Sequence, residues 1–220
     1  LPSQGLFYKN DFELWIKKAD VEDIIEYEYQ YEKEDLGLVI TRVKRIVEKN
    51  SILSKGYSYL DIKSIDIVYI FLEIVKLTNN KKIDIKYFND NLGKDELISF
   101  DSTNFNYAKL DQKLLKSYDS VAKEFVIDGF KYSVPCIGIE NSLTHFLISK
   151  SDEPGAEAYN KYSYDFLYFL GHKSNLSFSE IDNLIQIFNF DLTDEDKKKI
   201  RKIIKSFSSI GKYSLKKDSK

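Results

Sequence analysis

This chain is poor in the residues from which covalent and metal-bound frameworks are built. Its 220 residues include no methionine, two histidines, three prolines and a single cysteine, Cys136. One cysteine excludes an internal disulfide and any zinc site made of several cysteines, and it fits a reducing compartment. Because leucine is a poor second residue for methionine removal, the sequence also predicts that Leu1 is an internal position of a longer chain.

Long apolar runs and a strong net charge are missing as well. The longest apolar run, from 65 to 77, contains Asp66, Glu73 and Lys76 and falls short of the roughly 18 residues that span a bilayer. No signal peptide is visible at the start of the sequence. With 33 basic and 35 acidic residues the net charge is −2, which argues against nucleic acid as a partner.

Apolar residues are plentiful enough to form a folded core. They make up 43% of the chain, so the burial of apolar surface can offset the loss of chain entropy. A chain of this length can form one domain or two small ones. We expect a mixed α/β domain over 1–138, with antiparallel β segments, and a helical region over 139–220, which together make an α+β fold.

Hydrophobic periodicity predicts the elements of the first part. Strands are predicted over 12–16 and 83–87, where apolar and polar residues alternate. Helical spacing of apolar residues predicts helices over 32–49 and 63–77. The second helix is apolar nearly all round, so we expect it to be buried on most sides. The segment 21–31 fits a strand or a helical turn, and a strand as far as position 29 is favoured.

Local signals predict the remaining elements. Residues 97–107 favour β structure, and residues 110–118 favour a short helix. Asp128-Gly129 lies between two β-rich runs, which is a strong signal for a type I′ hairpin over 124–134. Helices are predicted at four further places: 141–150, 158–171, after a capping box that begins at Ser177, and after a weaker cap at Thr193.

Residues that carry catalysis or bind metal form no recognisable set. Cys136 and His145 are expected to be ordinary packed residues, and no glycine-rich phosphate loop is present. The acidic run from Asp191 to Asp196 lacks the ligand order of a calcium loop and is better explained as a helix N-terminus. No spacing singles out a pair of carboxylates for glycoside hydrolysis. We therefore predict no catalytic residue, no metal site and no cofactor.

Two stretches in the second part are candidates for contact with a partner. An aromatic stretch at 159–169 fits either core packing or a protein–protein interface, where tyrosine is enriched. A basic stripe at 197–205 fits either a solvated helix face or contact with an acidic protein or nucleic acid. The candidate interface residues in these two stretches are Tyr159, Tyr162, Tyr168, Lys198, Arg201 and Lys202.

The opening residues carry a resemblance to a known family. They contain the pattern Leu-Pro-Ser-x-Gly-x-x-Tyr, which is followed by an acidic helix start at 31–35, an acid-then-apolar helix from Asp61 to Val75, and a strand at 82–87. In this order the pieces resemble the hub and hub-assembly proteins of T-even-type contractile-tailed phage baseplates. Some of those relatives place a cysteine pair near the last strand, and this chain has no cysteine there.

This resemblance implies a structural or assembly role without enzymatic activity, through contacts with other phage baseplate or tail proteins. Such a protein would act in the host cytoplasm during assembly, and a hub component would stay in the virion, in some cases as an oligomer. The opening segment could dock in extended form on a neighbouring subunit or cap the protein's own sheet. Its candidate interface residues are Leu1, Pro2, Ser3, Gly5, Phe7 and Tyr8.

Two other functions stay open on the sequence alone. One is a nucleic-acid or regulatory binding module that uses the basic helix, and salt-dependent binding would identify it. The other is an enzyme whose site is assembled from scattered acidic residues, and a deep pocket with two carboxylates of perturbed pKa would identify it.

Overall fold

The computed structural model describes residues 1–23, 36–79, 82–89, 92–101, 105–154, 156–171 and 173–215. Within these ranges the chain forms helices and small antiparallel sheets, which confirms the predicted α+β fold class. None of the described helices is both long enough and apolar enough to cross a membrane.

The first half combines two helices with two antiparallel pairs of strands. Strand β1 (Leu14–Ile16) pairs with β2 (Ser51–Leu53), and helix α1 (Leu36–Asn50) lies between them in the chain. Two 3₁₀ turns then lead into helix α2 (Ile67–Thr78). A long hairpin of β3 (Lys82–Asn89) and β4 (Lys94–Asp101) follows.

The second half begins with short strands and ends in helices. Its strands are β5 (Phe105–Tyr107), β6 (Tyr118–Asp119), β7 (Glu124–Ile127), β8 (Phe130–Tyr132) and β9 (Tyr213–Leu215), of which β5 pairs with β9 and β6, β7 and β8 form one sheet. Its helices are α3 (Ile137–Ser149), α4 (Ala156–Leu170), α5 (Phe178–Gln186) and α6 (Asp194–Ser208), with a π-helical turn between the last two.

The turn and cap signals in the sequence are confirmed. Asp128 and Gly129 both have positive φ, of 52° and 81°, as a type I′ turn requires. The Ser177 side chain accepts a hydrogen bond from the Glu180 backbone N–H, and the Glu180 carboxylate accepts one from the Ser177 backbone N–H. The Thr193 side chain caps α6 by accepting the backbone N–H of Asp196, without the reciprocal backbone bond of the Ser177 box.

Three predictions about the elements need correction. Residues 110–118 form only a 3₁₀ turn at Leu114–Ser117 instead of a short helix. Residues 21–23 are helical, and the rest of the strand favoured as far as position 29 lies outside the described residues. Helix α2 is less completely buried than predicted: one face, with Ile70 and Ile74, is buried and most of its other residues are half-buried, but Val68 and Leu77 are exposed.

Two apolar clusters form the core. The smaller one packs α1 against α2 and includes Val47, Ile70 and Ile74. The larger one joins Phe7 of the opening segment to side chains between Leu110 and Ile210, and Phe125 contacts both Phe7 and Phe207, with ring centroids 5.6 and 5.1 Å apart. The predicted boundary between 138 and 139 falls inside α3, and residues on both sides of it share this larger cluster.

Candidate functional site: a buried anchor and an apolar groove

The opening segment is folded into consecutive turns against the protein's own core. Backbone hydrogen bonds join Gln4 to Leu1 at 3.1 Å and Leu6 to Ser3 at 3.2 Å, and Gly5 has a φ of 77°. Only glycine adopts that left-handed conformation without steric cost, so this residue permits the chain to reverse direction. The segment therefore does not form the extended arm that was one of the two expectations.

The turns of this segment are fixed by one buried carboxylate, that of Asp66. Its Oδ1 accepts a hydrogen bond from the Ser3 backbone N–H at 2.9 Å, and its Oδ2 accepts one from the Tyr8 hydroxyl at 2.9 Å. The Tyr8 oxygen in turn accepts the Lys63 backbone N–H at 2.9 Å. Each polar group in this set is thereby satisfied, as burial demands.

Burial perturbs the titration of the groups around this anchor. Desolvation raises the pKa of Asp66 above its usual value, and the hydrogen bonds from Ser3 and Tyr8 oppose that rise. Desolvation also lowers the pKa of Lys63, whose ammonium donates to the Gly171 carbonyl at 2.5 Å. Cys136 lies nearby, buried, with Sγ 3.1 Å from the Lys173 carbonyl oxygen, and burial raises its pKa, so it has the character of a packed thiol.

This geometry corrects the interface prediction for most of the opening segment. Pro2, Ser3, Phe7 and Tyr8 are all buried in the protein's own core. Ser3 and Tyr8 bond to Asp66 at the start of α2, and Phe7 belongs to the larger apolar cluster. Gly5 is exposed at the turn. Leu1 is half-buried and packs against the smaller cluster.

The aromatic stretch divides between core and surface. Tyr168 is buried and stacks on Phe207, with centroids 6.2 Å apart, which corrects its assignment to an interface. Tyr159 is half-buried and meets Phe146 edge to face at 5.6 Å. Tyr162 lies in α4, and its side chain is outside the described part of the structure. Tyr164, which belongs to the predicted aromatic stretch but was not among the candidate interface residues, is 77% exposed.

Tyr164 lines an apolar groove of about 800 Å³. Four helices form its walls: α1, α2 with the turn before it, α3 and α4. The lining residues are Ile40, Val43, Lys44, Ser64, Ile67, Val68, Glu140, Leu143, Thr144, Leu147, Ser163, Tyr164 and Leu167. Most of them are apolar, although the groove lies at the surface.

The groove carries one charged pair and several exposed apolar side chains. Lys44 Nζ of α1 lies 3.0 Å from Glu140 Oε2 of α3, and both side chains are about one quarter exposed. Ile40 and Val68 are 48% and 46% exposed, so they offer apolar surface to water. Large apolar side chains grouped in this way on a surface are typical of a binding site.

The basic stripe on α6 is partly neutralised within the chain. Arg201 bonds to Asp165 of α4 at 3.1 Å, and Lys199 pairs with Glu195 one turn earlier. Lys198, Lys202 and Lys205 follow each other at helical spacing on one exposed face, and among the described residues they have no ion-pair partner. This face is the second surface that a partner could use.

Other candidates for chemistry do not assemble into a site. His145 is exposed on α3, in contrast to the packed position that was expected, and His172 is outside the described residues. The acidic run from Asp191 forms the end of a π-helical turn and the capped start of α6. Within the described ranges no group of three histidine, cysteine or acidic residues is placed to hold a metal ion.

Comparison with known proteins gives no relative for this chain. No protein-family model matches the sequence. No curated protein and no solved structure matches it either. What the groove can bind must therefore be deduced from the chemistry of its own residues.

The sequence held one signal for the groove. Helix α2 has more apolar residues than one buried face needs, and the surplus includes Val68 on its exposed side. An apolar residue beyond the core-facing stripe of a helix indicates either deeper burial or a second contact surface. Deeper burial was predicted, whereas Val68 is 46% exposed and lines the groove.

Proposed function

We propose that this protein is a structural or assembly component that works through protein–protein contacts, and that its apolar groove holds an amphipathic helix of another baseplate or tail protein. The observation that carries the proposal is the groove itself, with Ile40, Val68 and Tyr164 exposed around it. Its placement in a contractile-tail baseplate rests on the resemblance of the first 90 or so residues to hub and hub-assembly proteins.

A helix is the occupant that suits this groove. Its walls are four helices, and a further helix, with side chains at i, i+3, i+4 and i+7, packs into such a groove along one apolar face. The Lys44–Glu140 pair offers both a donor and an acceptor to a polar side chain of that helix. Tyr164 is the expected centre of the binding energy, because large aromatic residues dominate interface hot spots.

The proposal is tested by coexpression of the chain with each tail and baseplate protein encoded in the same genome. We expect at least one stable complex, which Val68→Asp weakens at least about tenfold, since a buried carboxylate would replace an apolar contact. Tyr164→Ala should have a similar effect. Val121→Asp is the matched control, because Val121 is 91% exposed and does not line the groove.

Two results would overturn the proposal. One is the absence of any complex with those proteins, and the other is a complex that neither groove variant weakens. Thermal unfolding of each variant separates loss of binding from loss of folding. Mass spectrometry of purified virions then distinguishes a hub component, which stays in the particle, from an assembly chaperone, which is found only in infected cells.

The basic face of α6 supports a second candidate, a binding module for nucleic acid or an acidic regulator. Lys198, Lys202 and Lys205 form one exposed face without partners in the described part of the chain. If these residues contact the phosphates of duplex DNA, the logarithm of the binding constant falls linearly with the logarithm of the salt concentration. Each contact adds about 0.9 to the steepness of that slope. Substitution of all three by glutamine should then reduce the slope by nearly three, and an unchanged slope would exclude this function.

A further inference from the structure

The outer face of the β1–β2 sheet is apolar at its centre and open to water. Trp15 of β1 pairs with Ile52 of β2, and their side chains are 51% and 55% exposed. Leu14, Ile16 and Leu53 alternate with them and pack against the smaller apolar cluster on the inner face. Tryptophan is among the residue types most enriched at the centres of interfaces, so this outer face is a candidate contact surface.

The two ends of this face carry opposite charges. The ladder of β1 continues past both ends of the strand, because the Lys17 backbone N–H donates to the Asn50 carbonyl at 3.0 Å. At the other end the Ser54 N–H donates to the Glu13 carbonyl at 3.1 Å. Glu13 and Lys17 are both exposed and lie two positions on either side of Trp15, so alternation places all three on one face. In the described part of the chain neither charge forms an ion pair.

We propose that this face packs against the same face of a second copy of the chain. The twofold axis lies between the two faces, at right angles to the strands, and passes Trp15. Each β1 then lies antiparallel over β1 of the other copy, so that Trp15 faces Trp15 and Ile52 faces Ile52. Twofold dimers are the commonest oligomers, and each copy uses the same self-complementary patch. This surface is separate from the groove, and the proposal does not depend on the groove's occupant.

The order of charges along β1 makes the face complementary to itself. On its outer side the strand reads acid, tryptophan, base, and the reversed strand reads base, tryptophan, acid. Glu13 of each copy therefore faces Lys17 of the other, and two ion pairs flank the apolar centre. Charge complementarity of this kind fixes the orientation in which two surfaces meet.

Other arrangements of the two faces lose this match. If β1 lay parallel to β1 of the other copy, Glu13 would face Glu13 and Lys17 would face Lys17, and like charges oppose association. A shift of the antiparallel strands by two residues would place a charged side chain over Trp15, where it would be buried without a partner. The antiparallel arrangement centred on Trp15 is therefore the one that fits.

The size of the face predicts how strongly the two copies associate. A stable interface buries about 800 Å² of each partner. One tryptophan and one isoleucine supply only part of that area, since a whole aromatic side chain buries about 150–250 Å². We therefore expect a reversible dimer, which forms at protein concentrations of about 0.1–1 mM.

A charge exchange tests the pairing directly. Sedimentation equilibrium at up to about 1 mM protein should show a dimer for the wild-type chain, and Lys17→Glu should weaken it at least about tenfold, because acidic side chains then face each other twice. The double variant Glu13→Lys with Lys17→Glu restores opposite charges and should restore the dimer. Lys18→Glu is the matched control, since it makes the same charge change at an exposed position that alternation places off this face.

Any of three results would overturn the proposal. The first is a wild-type chain that stays monomeric at every concentration reached. The second is a double variant as weak as Lys17→Glu, and the third is a control that weakens the dimer as much as Lys17→Glu does. Thermal unfolding of each variant shows whether it is folded, and we expect little change because the substituted side chains are exposed.

Tryptophan fluorescence provides an independent test, because Trp15 is the only tryptophan in the chain. Its emission should move to shorter wavelengths as the protein concentration rises through the dissociation constant, since the indole ring leaves water. Ile52→Asp should abolish this change, because it places two carboxylates together at the centre of the contact. An emission that stays constant while sedimentation shows a dimer would mean that the copies meet through another surface, and it would contradict the proposal.

Discussion

At the scale of single residues, Asp66 is the group on which the opening of the chain depends. Its carboxylate is fully buried and holds Ser3 and Tyr8, which are 63 and 58 positions away in sequence. Burial of a carboxylate is unfavourable unless its lone pairs are occupied, so the two hydrogen bonds and the turns around Gly5 stabilise each other.

The substitution Tyr8→Phe should lower the free energy of unfolding by about 1–3 kcal/mol. It removes one hydroxyl and leaves two buried groups without a partner, the Asp66 Oδ2 and the Lys63 backbone N–H. Urea unfolding followed by circular dichroism measures the change. Tyr57→Phe is the matched control, because it removes a hydroxyl that donates to the exposed Asp11 carboxylate. A loss no larger than that of the control would show that Tyr8 does not support the anchor.

At the scale of elements, the start of α5 is the clearest case of local stabilisation. Glu180 accepts hydrogen bonds from the Ser177 backbone N–H at 2.9 Å and the Ser177 hydroxyl at 2.8 Å, and it pairs with Lys173. These contacts favour the charged carboxylate, with the Lys173 contact the largest, and they lower the pKa of Glu180 to about 2.

This shift predicts how stability depends on pH. The pKa of Glu180 is lower in the folded state than its ordinary value of 4.5. The charged carboxylate therefore adds to the free energy of unfolding above pH 4.5, and this addition is lost as the pH falls toward about 2. The variant Glu180→Gln should therefore be less stable than the wild type at pH 7, and the difference should shrink across this window. Thermal unfolding at several pH values measures it, and a difference that stays constant with pH would contradict the assignment.

Elements fixed by neighbouring residues could be predicted from the sequence. The Asp128-Gly129 turn and the caps at Ser177 and Thr193 depend on residues within four positions of each other, so the pattern contains their cause. The contacts of Asp66 and the groove could not be predicted in this way. They join residues that only the folded chain brings together, such as Lys44 and Glu140, and no local rule encodes such a pairing.

At the scale of the whole molecule, one apolar cluster joins the two predicted parts. Phe207 of α6 is fully buried and lies within 6.4 Å, centroid to centroid, of both Phe7 and Phe125. The loss of this one side chain would leave a cavity at the point where the opening segment, the β6–β8 sheet and α6 meet. The loss of the Phe207 side chain should therefore destabilise the opening segment, the β6–β8 sheet and α6 together.

The substitution Phe207→Ala should lower the free energy of unfolding by about 3–5 kcal/mol. Phe190→Ala removes the same atoms from a side chain that is 77% exposed and should change the free energy by less than about 0.5 kcal/mol. Chemical denaturation of both variants gives the comparison. Nearly equal losses would mean that Phe207 is not central to the core.

The pairing of β5 with β9 has a consequence for the order in which the protein can fold. Phe105 bonds to a strand whose Leu215 lies 110 positions later in the chain. During synthesis, β5 leaves the ribosome long before its partner strand exists, and its edge is unprotected for that time. Closure of so long a loop is also slow. Completion of the native state must therefore wait for translation to pass β9, and a chaperone that shields β5 in the interval would raise the yield of folded protein.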